Sequence, residues 1–322
     1  MLTLAVVIIN YKTPQLTIDC LASLLPELNS IKAKIVVVDN YSNDGSCEKI
    51  TSWIDGNDQL QQVELMASLE NTGFSGGNNL GIGSVDAEYY LLLNSDTVVR
   101  KGAISLLLKV AKKDDSLGLI SPRLEWENGR PQESCFRFHT PISELISSAN
   151  TGLITLLLQK FNVPYVVSDK ASFYDWTSFA SVLIKADVFK DIGLMDAGYF
   201  MYFEDVAFAY YAKKASWKVL NVPDAHVVHL RGGSSPLKLQ VRQRKRLPRY
   251  IYESRTRFFY QVYGRFGLLM ANVFWTLGYG ISLVRSLFPS SFKPNISAYQ
   301  WCDIWINFLQ PLKAYIHPDD YS

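Results

Sequence analysis

Three stretches of this sequence place polar side chains where chemistry on a charged substrate could occur. Residues 89–97 read YYLLLNSDT, an apolar run of the kind found in strands buried on both faces, ending abruptly in Asn94-Ser95-Asp96-Thr97. Asp96 is thereby delivered to the carboxyl end of a strand, where open α/β sheets bind their ligands. The competing reading makes Asp96 an N-cap for a helix that follows, since Asp and Thr cap well. Glu204 and Asp205 close an aromatic run, Tyr199 to Phe203, and either could act as a general base. Alternatively they are a solvated pair favoured by the dipole at a helix start. Residues 70–79, ENTGFSGGNN, carry glycines that permit a close backbone approach to a ligand, or simply make a flexible turn.

The elements that must hold these residues follow from periodicity. Residues 4–9 form a branched apolar strand, Thr13-Pro14 starts a helix that runs to about Leu25, and residues 35–38 are a second, parallel strand: a βαβ unit. A polar loop, 39–46, precedes a helix holding Ile50 and Trp53, and a third strand lies near 63–67. A helix over 103–112 and a strand over 117–120 continue a doubly wound pattern with polar loops at successive strand ends. Residues 122–175 are irregular and read as an insertion shaping the acceptor side. The pattern resumes with a strand over 179–184, helices over 186–192 and 206–214 and a short strand over 217–221; residues 223–234 read as a loop. The N-terminal apolar run has no basic residues before it and no small-residue cleavage site, so it is expected to be a strand and not a signal peptide.

With 322 residues and 48% hydrophobic content the chain can bury a sizeable core. Four cysteines lie far apart with no CxxC pairing, which argues against a zinc site or a disulfide framework and fits the cytoplasm. The formal net charge of +2 hides an uneven distribution, because residues 238–257 hold eight Lys or Arg against one Glu. Residues 266–284 are uncharged and long enough to be considered a membrane span, but Asn272, Thr276, Ser282 and three glycines weaken that reading. An amphipathic or re-entrant helix on anionic lipid, attracted by the basic run, is preferred to a buried core helix. Nucleic-acid binding by the basic run lacks any motif, and no nucleic-acid partner is expected.

Six ordered blocks, VVIINYKT, VVVDNYSNDGS, NTGFSGGNNLGI, YYLLLNSDT, YFMYFEDV and VPDAHVVHLRGGS, give the chain over residues 4–234 a clear likeness. It resembles the inverting glycosyltransferases of family 2, in particular the rhamnosyltransferase-like branch. The resemblance implies an α/β, GT-A-type nucleotide-sugar-binding fold, with an open, twisted, mostly parallel sheet flanked by helices. The catalytic domain is expected over 1–235 and a helical C-terminal extension over 236–322. By resemblance Asp39 contacts the nucleotide base, and Asn10, Tyr11, Asn71, Gly73 and Asn78 line the nucleotide-sugar site. Asn94 and Asp96 stand at the two ends of a DxD-like motif, Glu204 and Asp205 form the ED motif, and His229 completes a metal site with Asp96. The motif departs from the branch at Ala207 and Tyr211, where Asp and Arg are usual, and at Phe179, where glycine is usual. These differences bear on acceptor choice and pocket shape.

The chemistry of glycosyl transfer gives these residue types a purpose. A sugar nucleotide leaves as a diphosphate whose growing charge a divalent cation, Mg²⁺ or Mn²⁺, can neutralise with few protein ligands. Inversion needs a single base for the acceptor hydroxyl, and Asp205 is the choice, Glu204 the rival. The aromatic run is expected to raise the Asp205 pKa by excluding water. The expected activity is metal-dependent transfer of a sugar, rhamnose from dTDP-rhamnose or another dTDP- or UDP-sugar. The acceptor is a lipid-linked or growing surface glycan at the inner face of the cytoplasmic membrane. The alternative is a degenerate GT-A module that binds nucleotide sugar or glycan as a scaffold.

Overall fold

The computed structural model describes residues 1–56, 62–230, 241, 243–288 and 296–321. Residues 231–234 of the last sequence block, and 238–240 and 242 of the basic run, lie outside the described residues. In chain order the first elements are β1 (Leu2–Asn10), α1 (Pro14–Leu24), β2 (Ala33–Asp39), α2 (Ser46–Asp55), β3 (Val63–Ala67), α3 (Gly73–Gly83) and β4 (Ala87–Asn94). Next come β5 (Thr97–Val99), α4 (Ala103–Ala111), β6 (Leu117–Glu125), β7 (Cys135–Phe136), α5 (Pro141–Ala149) and α6 (Gly152–Leu157). The rest are β8 (Ser172–Tyr174), β9 (Trp176–Thr177), β10 (Ser181–Lys185), α7 (Ala186–Ile192), α8 (Glu204–Lys214), β11 (Lys218–His229), α9 (Arg249–Ser286) and α10 (Gln300–Asp303). The chain divides into two compact units. The first comprises Met1–Phe136, Val166–Ala197 and Phe208–Ser235; the second Arg137–Tyr165, Gly198–Ala207 and Pro236–Ser322.

The first unit is built on a sheet in the order β3-β2-β1-β4-β10-β6-β11-β5, with β8 pairing β11. The strands β3, β2, β1 and β4 are parallel, as the βαβ reading requires. Residues 4–8 of β1 and 35–38 of β2 are inaccessible to solvent, which is why they read as unbroken apolar runs and not as alternation. Beyond β4 the sheet is mixed: β10 runs antiparallel to both β4 and β6, while β11 is parallel to β6. The expectation of a mostly parallel sheet is thus met by its first half. β10 is reached through a long excursion and not through a short helical crossover, so its direction is not bound by the βαβ rule.

Two local readings change. Residues 73–83 form a helix, α3, and its glycines serve packing: a Cβ on Gly81 would lie 2.5 Å from Val7 Cγ1, and one on Gly77 3.2 Å from Ile9 Cδ1. They let the helix backbone rest on β1. Asp96 caps no helix. The strand β5 follows it directly, and α4 begins only at Ala103 with Gly102 as its N-cap.

In the second unit, α5 starts at a capping box in which the Ser143 N–H donates to Thr140 Oγ1 (3.1 Å) and the Thr140 N–H to Ser143 Oγ (2.9 Å), with Pro141 in the first turn. α9 breaks at Gly264, whose φ of 68° and ψ of −173° are not helical. Arg255 Nη1 donates to Asn272 Oδ1 at 2.7 Å although the two are 17 residues apart, a span of about 25 Å along a straight helix. The two halves of α9 therefore fold back on each other at the glycine. Arg255 also donates through Nε and Nη2 to Glu144 Oε2 (2.9 and 2.7 Å), so a buried ion pair joins α5 to the bend.

Four arginines of the basic run, Arg255 among them, are tied inside this unit. Arg246 grips Asp303 with two bonds (2.9 and 2.7 Å), Arg249 meets Glu253 (2.8 Å), and Arg257 donates to the Leu312 carbonyl (3.2 Å). In the second half of α9, Leu268, Ala271, Asn272, Trp275, Gly278 and Ser282 are buried while Phe266, Leu277, Ile281, Leu283 and Val284 are exposed. The apolar segment 266–284 is accordingly half a core helix, with an apolar face left in solvent.

Candidate active site

The parallel half of the sheet brings the carboxyl ends of its strands into line: Asn10 of β1 is in register with Asp39 of β2, and Asn94 of β4 with Ile9. Asn10 Nδ2 donates to Asp39 Oδ1 at 2.6 Å, and Thr17 Oγ1 in α1 donates to Asn10 Oδ1 at 2.8 Å. Ser42 finishes the arrangement, its Oγ donating to Asp39 Oδ1 (2.6 Å) and its N–H to Oδ2 (3.0 Å). Asp39 is buried and held by these three donors, with the Cys47 thiol as a further side-chain neighbour. Tyr11 is half-buried beside it, with Lys12 Nζ 5.0 Å from its ring centre.

Asn40 organises the next loop. Its Nδ2 donates to Asn71 Oδ1 and to the Gly73 carbonyl (both 2.9 Å), and its Oδ1 accepts from the Thr72 N–H and Oγ1 (both 3.1 Å). Gly73 has a φ of 67°, a left-handed turn that opens α3. Asn71 thus holds the loop, and Asn78 donates to the Phe74 carbonyl one turn back in its own helix (2.9 Å). Of the residues that sequence reasoning passed over, Ser42, Asn40 and Thr17 matter most. The turn-former density of DNYSND was the available signal for the first two.

The strand β11 does not end at Asn221 but runs to His229, so the stretch 223–229 is strand and not loop. Its last residues pair antiparallel with β5, His229 opposite Thr97, and the Leu230 N–H donates to the Asp96 carbonyl at 2.9 Å. This register sets His229 Nε2 3.4 Å from Asp96 Oδ1. Asp96 is 2% exposed, and its Oδ1 has no hydrogen-bond partner among the described residues; the same holds for His229 Nδ1. A buried carboxylate oxygen left unmet is costly and calls for a ligand. The pair fits a divalent cation. Cis ligands of an octahedral ion with bonds near 2.1 Å stand about 3 Å apart, close to the spacing seen. No group of three or more His, Cys, Asp or Glu among the described residues could enclose an ion. The remaining positions would fall to diphosphate oxygens and water, as is usual for Mg²⁺ with nucleotides. Asn94 ends β4 with its carbonyl accepting from Thr97 Oγ1 (2.7 Å), which fixes the turn that carries Asp96.

In the second unit, Glu204 and Asp205 begin α8 directly after two residues with left-handed backbone, Tyr202 (φ 70°) and Phe203 (φ 66°). Bulky residues adopt this conformation only when their surroundings force it. Here the first half of α9 does so. Ser254 Oγ donates to the Met201 carbonyl (3.1 Å), Tyr199 Oη to Gln261 Oε1 (2.6 Å), and the Phe203 ring lies 5.4 Å from Phe258 and 5.0 Å from His139. Burial holds the His139 imidazole below its usual range, so it packs there as a neutral ring.

The two carboxylates are not alike. Glu204 is buried with Oε2 unpaired, and burial first, then the charge of Asp205, push its pKa well above the ordinary glutamate value. Asp205 is half-buried and its Oδ1 accepts from the Val206 N–H at 2.8 Å. Glu204 is the one of the two with a desolvation-driven shift resolved. The upward shift favours the protonated form of Glu204, and a base must be ionised to accept a proton.

The model of the family described as glycosyl transferase family 2 matches residues 5–152. That stretch is a family 2 glycosyltransferase domain. Over 230 residues the chain is 27% identical to the low-salt glycan biosynthesis hexosyltransferase Agl10 of Haloferax volcanii, covering 70% of this chain and 65% of that protein. The matched part is thus just under two thirds of that relative's length. Over 221 residues it is 24% identical to the N-acetylglucosaminyl-diphospho-decaprenol L-rhamnosyltransferase of Mycobacterium tuberculosis, covering 62% of this chain and 67% of the other. These names agree with the rhamnosyltransferase-like branch. A mannosyltransferase from Pyrobaculum calidifontis, solved with GDP-Man and Mn²⁺, aligns with a TM-score of 0.54 at 13% identity over 97% of this chain and 86% of its own. The fold around the family 2 domain is that of the GT-A glycosyltransferases.

Proposed function

We propose that the protein is an inverting glycosyltransferase that moves a hexosyl group, rhamnose from dTDP-rhamnose before others, onto a lipid-linked or growing surface glycan at the inner face of the cytoplasmic membrane. The observation that carries this reading is the Asp96–His229 pair, a buried carboxylate with an unmet oxygen facing an imidazole at the edge of a family 2 sheet. The acceptor is suggested by the mycobacterial relative, whose name specifies a sugar carried on diphospho-decaprenol.

Each residue has a role in this reading. Asp39, fixed by Asn10 and Ser42, accepts the imide N–H of a pyrimidine base. Asn71 and Gly73 shape the loop beside it, and Asn94 fixes the turn of Asp96. Asp96 and His229 hold a divalent cation, Mg²⁺ or Mn²⁺, which when bound supplies positive charge opposite the leaving diphosphate. The acceptor hydroxyl oxygen bonds to the anomeric carbon as the bond from that carbon to the diphosphate oxygen breaks. Asp205 takes the hydroxyl proton, and the nucleoside diphosphate departs with the bonding electrons. Glu204, protonated, adds no second charge beside that base. The catalytic part is residues 1–235.

Ala207 and Phe179, both buried, and Tyr211 favour a second reading, a nucleotide-sugar-binding scaffold without turnover. A panel of dTDP-, UDP- and GDP-sugars with Mn²⁺ decides between them by melting temperature and by nucleoside diphosphate release on adding polyprenyl-linked acceptor. Stabilisation with release is the expected result. Stabilisation without release on any donor supports the scaffold, and no stabilisation by any donor overturns both.

A further inference from the structure

The short helix α6 and the far end of α9 leave large apolar side chains in solvent. None of the 6 residues of α6 is buried, and Leu153, Leu156 and Leu157 are 68, 67 and 73% exposed. At the end of α9, Leu283 and Val284 are exposed, followed by Leu287 at 82% and Phe288 at 66%. The two sets are neighbours. Ser282 Oγ donates to the carbonyls of Ser148 (2.9 Å) and Ala149 (3.0 Å), and Arg285 Nη1 to that of Asn150 (2.9 Å), just ahead of α6. Single exposed leucines are ordinary, but a cluster of this extent marks a surface that is covered in use.

Charge identifies the cover. Residues 145–168 and 266–288 contain no Asp or Glu, and their charged residues are Lys160 and Arg285 alone. Beside the leucines, a groove of about 510 Å³ is lined by Asn150, Thr151, Thr155, Gln159 and Asn162, which places amides and hydroxyls at the rim of the apolar set. Apolar side chains projecting past a rim of polar and cationic groups, with no carboxylate among them, complement the headgroups and acyl chains of an anionic membrane. A second copy complements it poorly, since a two-fold contact would bring up the same patch, which has no carboxylate to meet Lys160 and Arg285.

We propose that α6 and the far end of α9 form a docking surface for an anionic phospholipid bilayer, into which the leucines and Phe288 insert while Lys160 and Arg285 meet lipid phosphates. This deepens the reading of a lipid-linked acceptor and rests on it for purpose, but binding is measurable without donor or acceptor. The full chain is floated with phosphatidylcholine vesicles with and without phosphatidylglycerol. Wild type is expected to float with the anionic vesicles and much less with the neutral ones. The double variant Leu156→Asp/Leu157→Asp should lose on the order of 100-fold in partitioning, the scale for two leucines kept out of lipid. Both side chains are largely exposed, so its melting temperature should stay that of wild type. Should the double variant nevertheless melt early, Lys160→Glu is floated in its place, and a clear loss is again expected. Equal flotation of wild type and variant, or flotation of wild type with neither vesicle, overturns the proposal. So does a wild-type dimer in solution that the variant breaks. Transfer to a short-chain, water-soluble acceptor should be unchanged in the variant; if wild type lacks that transfer but floats, the transferase reading fails and the docking surface stands.

Discussion

At Asp39 the protein supplies donors to both carboxylate oxygens and so fixes the plane of the group at the end of β2. Asp39→Ala should weaken nucleotide binding by about 1–3 kcal/mol, the scale of a charged hydrogen bond, with calorimetry on UDP and dTDP as the check. Ser42→Ala should weaken it less, because only orientation is lost. The pair of carboxylates at α8 is separable by the same logic. Asp205→Asn should lower transfer by about 10²–10⁴-fold with donor affinity kept, the usual share of a general base. Glu204 gives a stability signature instead. Its folded pKa is raised, so the native state binds more protons than the unfolded chain at pH values between the ordinary glutamate value and the raised one. Stability is therefore fullest below the ordinary value and declines as pH climbs through the raised one. In Glu204→Gln that decline should flatten, as urea unfolding across pH 4 to 8 would reveal; an unchanged slope would show that Glu204 titrates normally. Much of this was legible at the level of residue type, since strand-end Asp, Asn and the ED pair stand out. The pairing of Asp96 with His229 came from the resemblance alone, and that of Asn10 with Asp39 was not legible, because both are contacts across strands that only register creates.

Elements were legible where one periodicity dominated and illegible where two signals competed. The helix α7 matches its expected bounds, residues 186–192, and α4 differs from its own by one residue. Pro223 and Asp224 in β11 read as a turn, but the irregularity between Val222 and His226 absorbs them and the strand continues to His229. The glycines of α3 read as loop because helix propensity disfavours them; close packing on β1 overrides propensity. Gly81→Ala should cost about 1–3 kcal/mol in urea unfolding, as overpacking does, with Val7 as the atom group that must move. The break in α9 was hidden because a single glycine, Gly264, is also tolerated inside a helix. Gly264→Ala places a Cβ at a φ of 68° and should cost about 1–2 kcal/mol by the same measurement.

At the scale of the whole molecule, the basic run looked like an external patch, and four of its eight basic residues, Arg246, Arg249, Arg255 and Arg257, are ties within the second unit. Net charge along a sequence does not say which charges face one another, and the docking surface proposed above rests on α6 and the end of α9 instead of on 238–257. The same ties make a clean removal of residues 238–322 unattainable. That truncation deletes the helix on which α5 and residues 198–203 rest within the second unit. Limited proteolysis should then cut within α5, whose Ser143, Glu144, Ile146, Ser148 and Ala149 are buried in the full chain; an uncut α5 would mean that this helix is held by other means.

The second unit is assembled from three separate stretches of chain, Arg137–Tyr165, Gly198–Ala207 and Pro236–Ser322. During synthesis at about 5–20 residues per second, the interval between the first of these and the end of α9 is roughly 6–24 s. Over that time Glu144 waits for Arg255, and the left-handed turn at Tyr202 and Phe203 has nothing to enforce it. A nascent chain can thus complete the parallel strands of the nucleotide sheet long before the turn bearing Asp205 is locked. On the proposed mechanism, with Asp205 as the base, transfer would therefore wait until translation has passed α9, and chains ended before it would lack the locked turn.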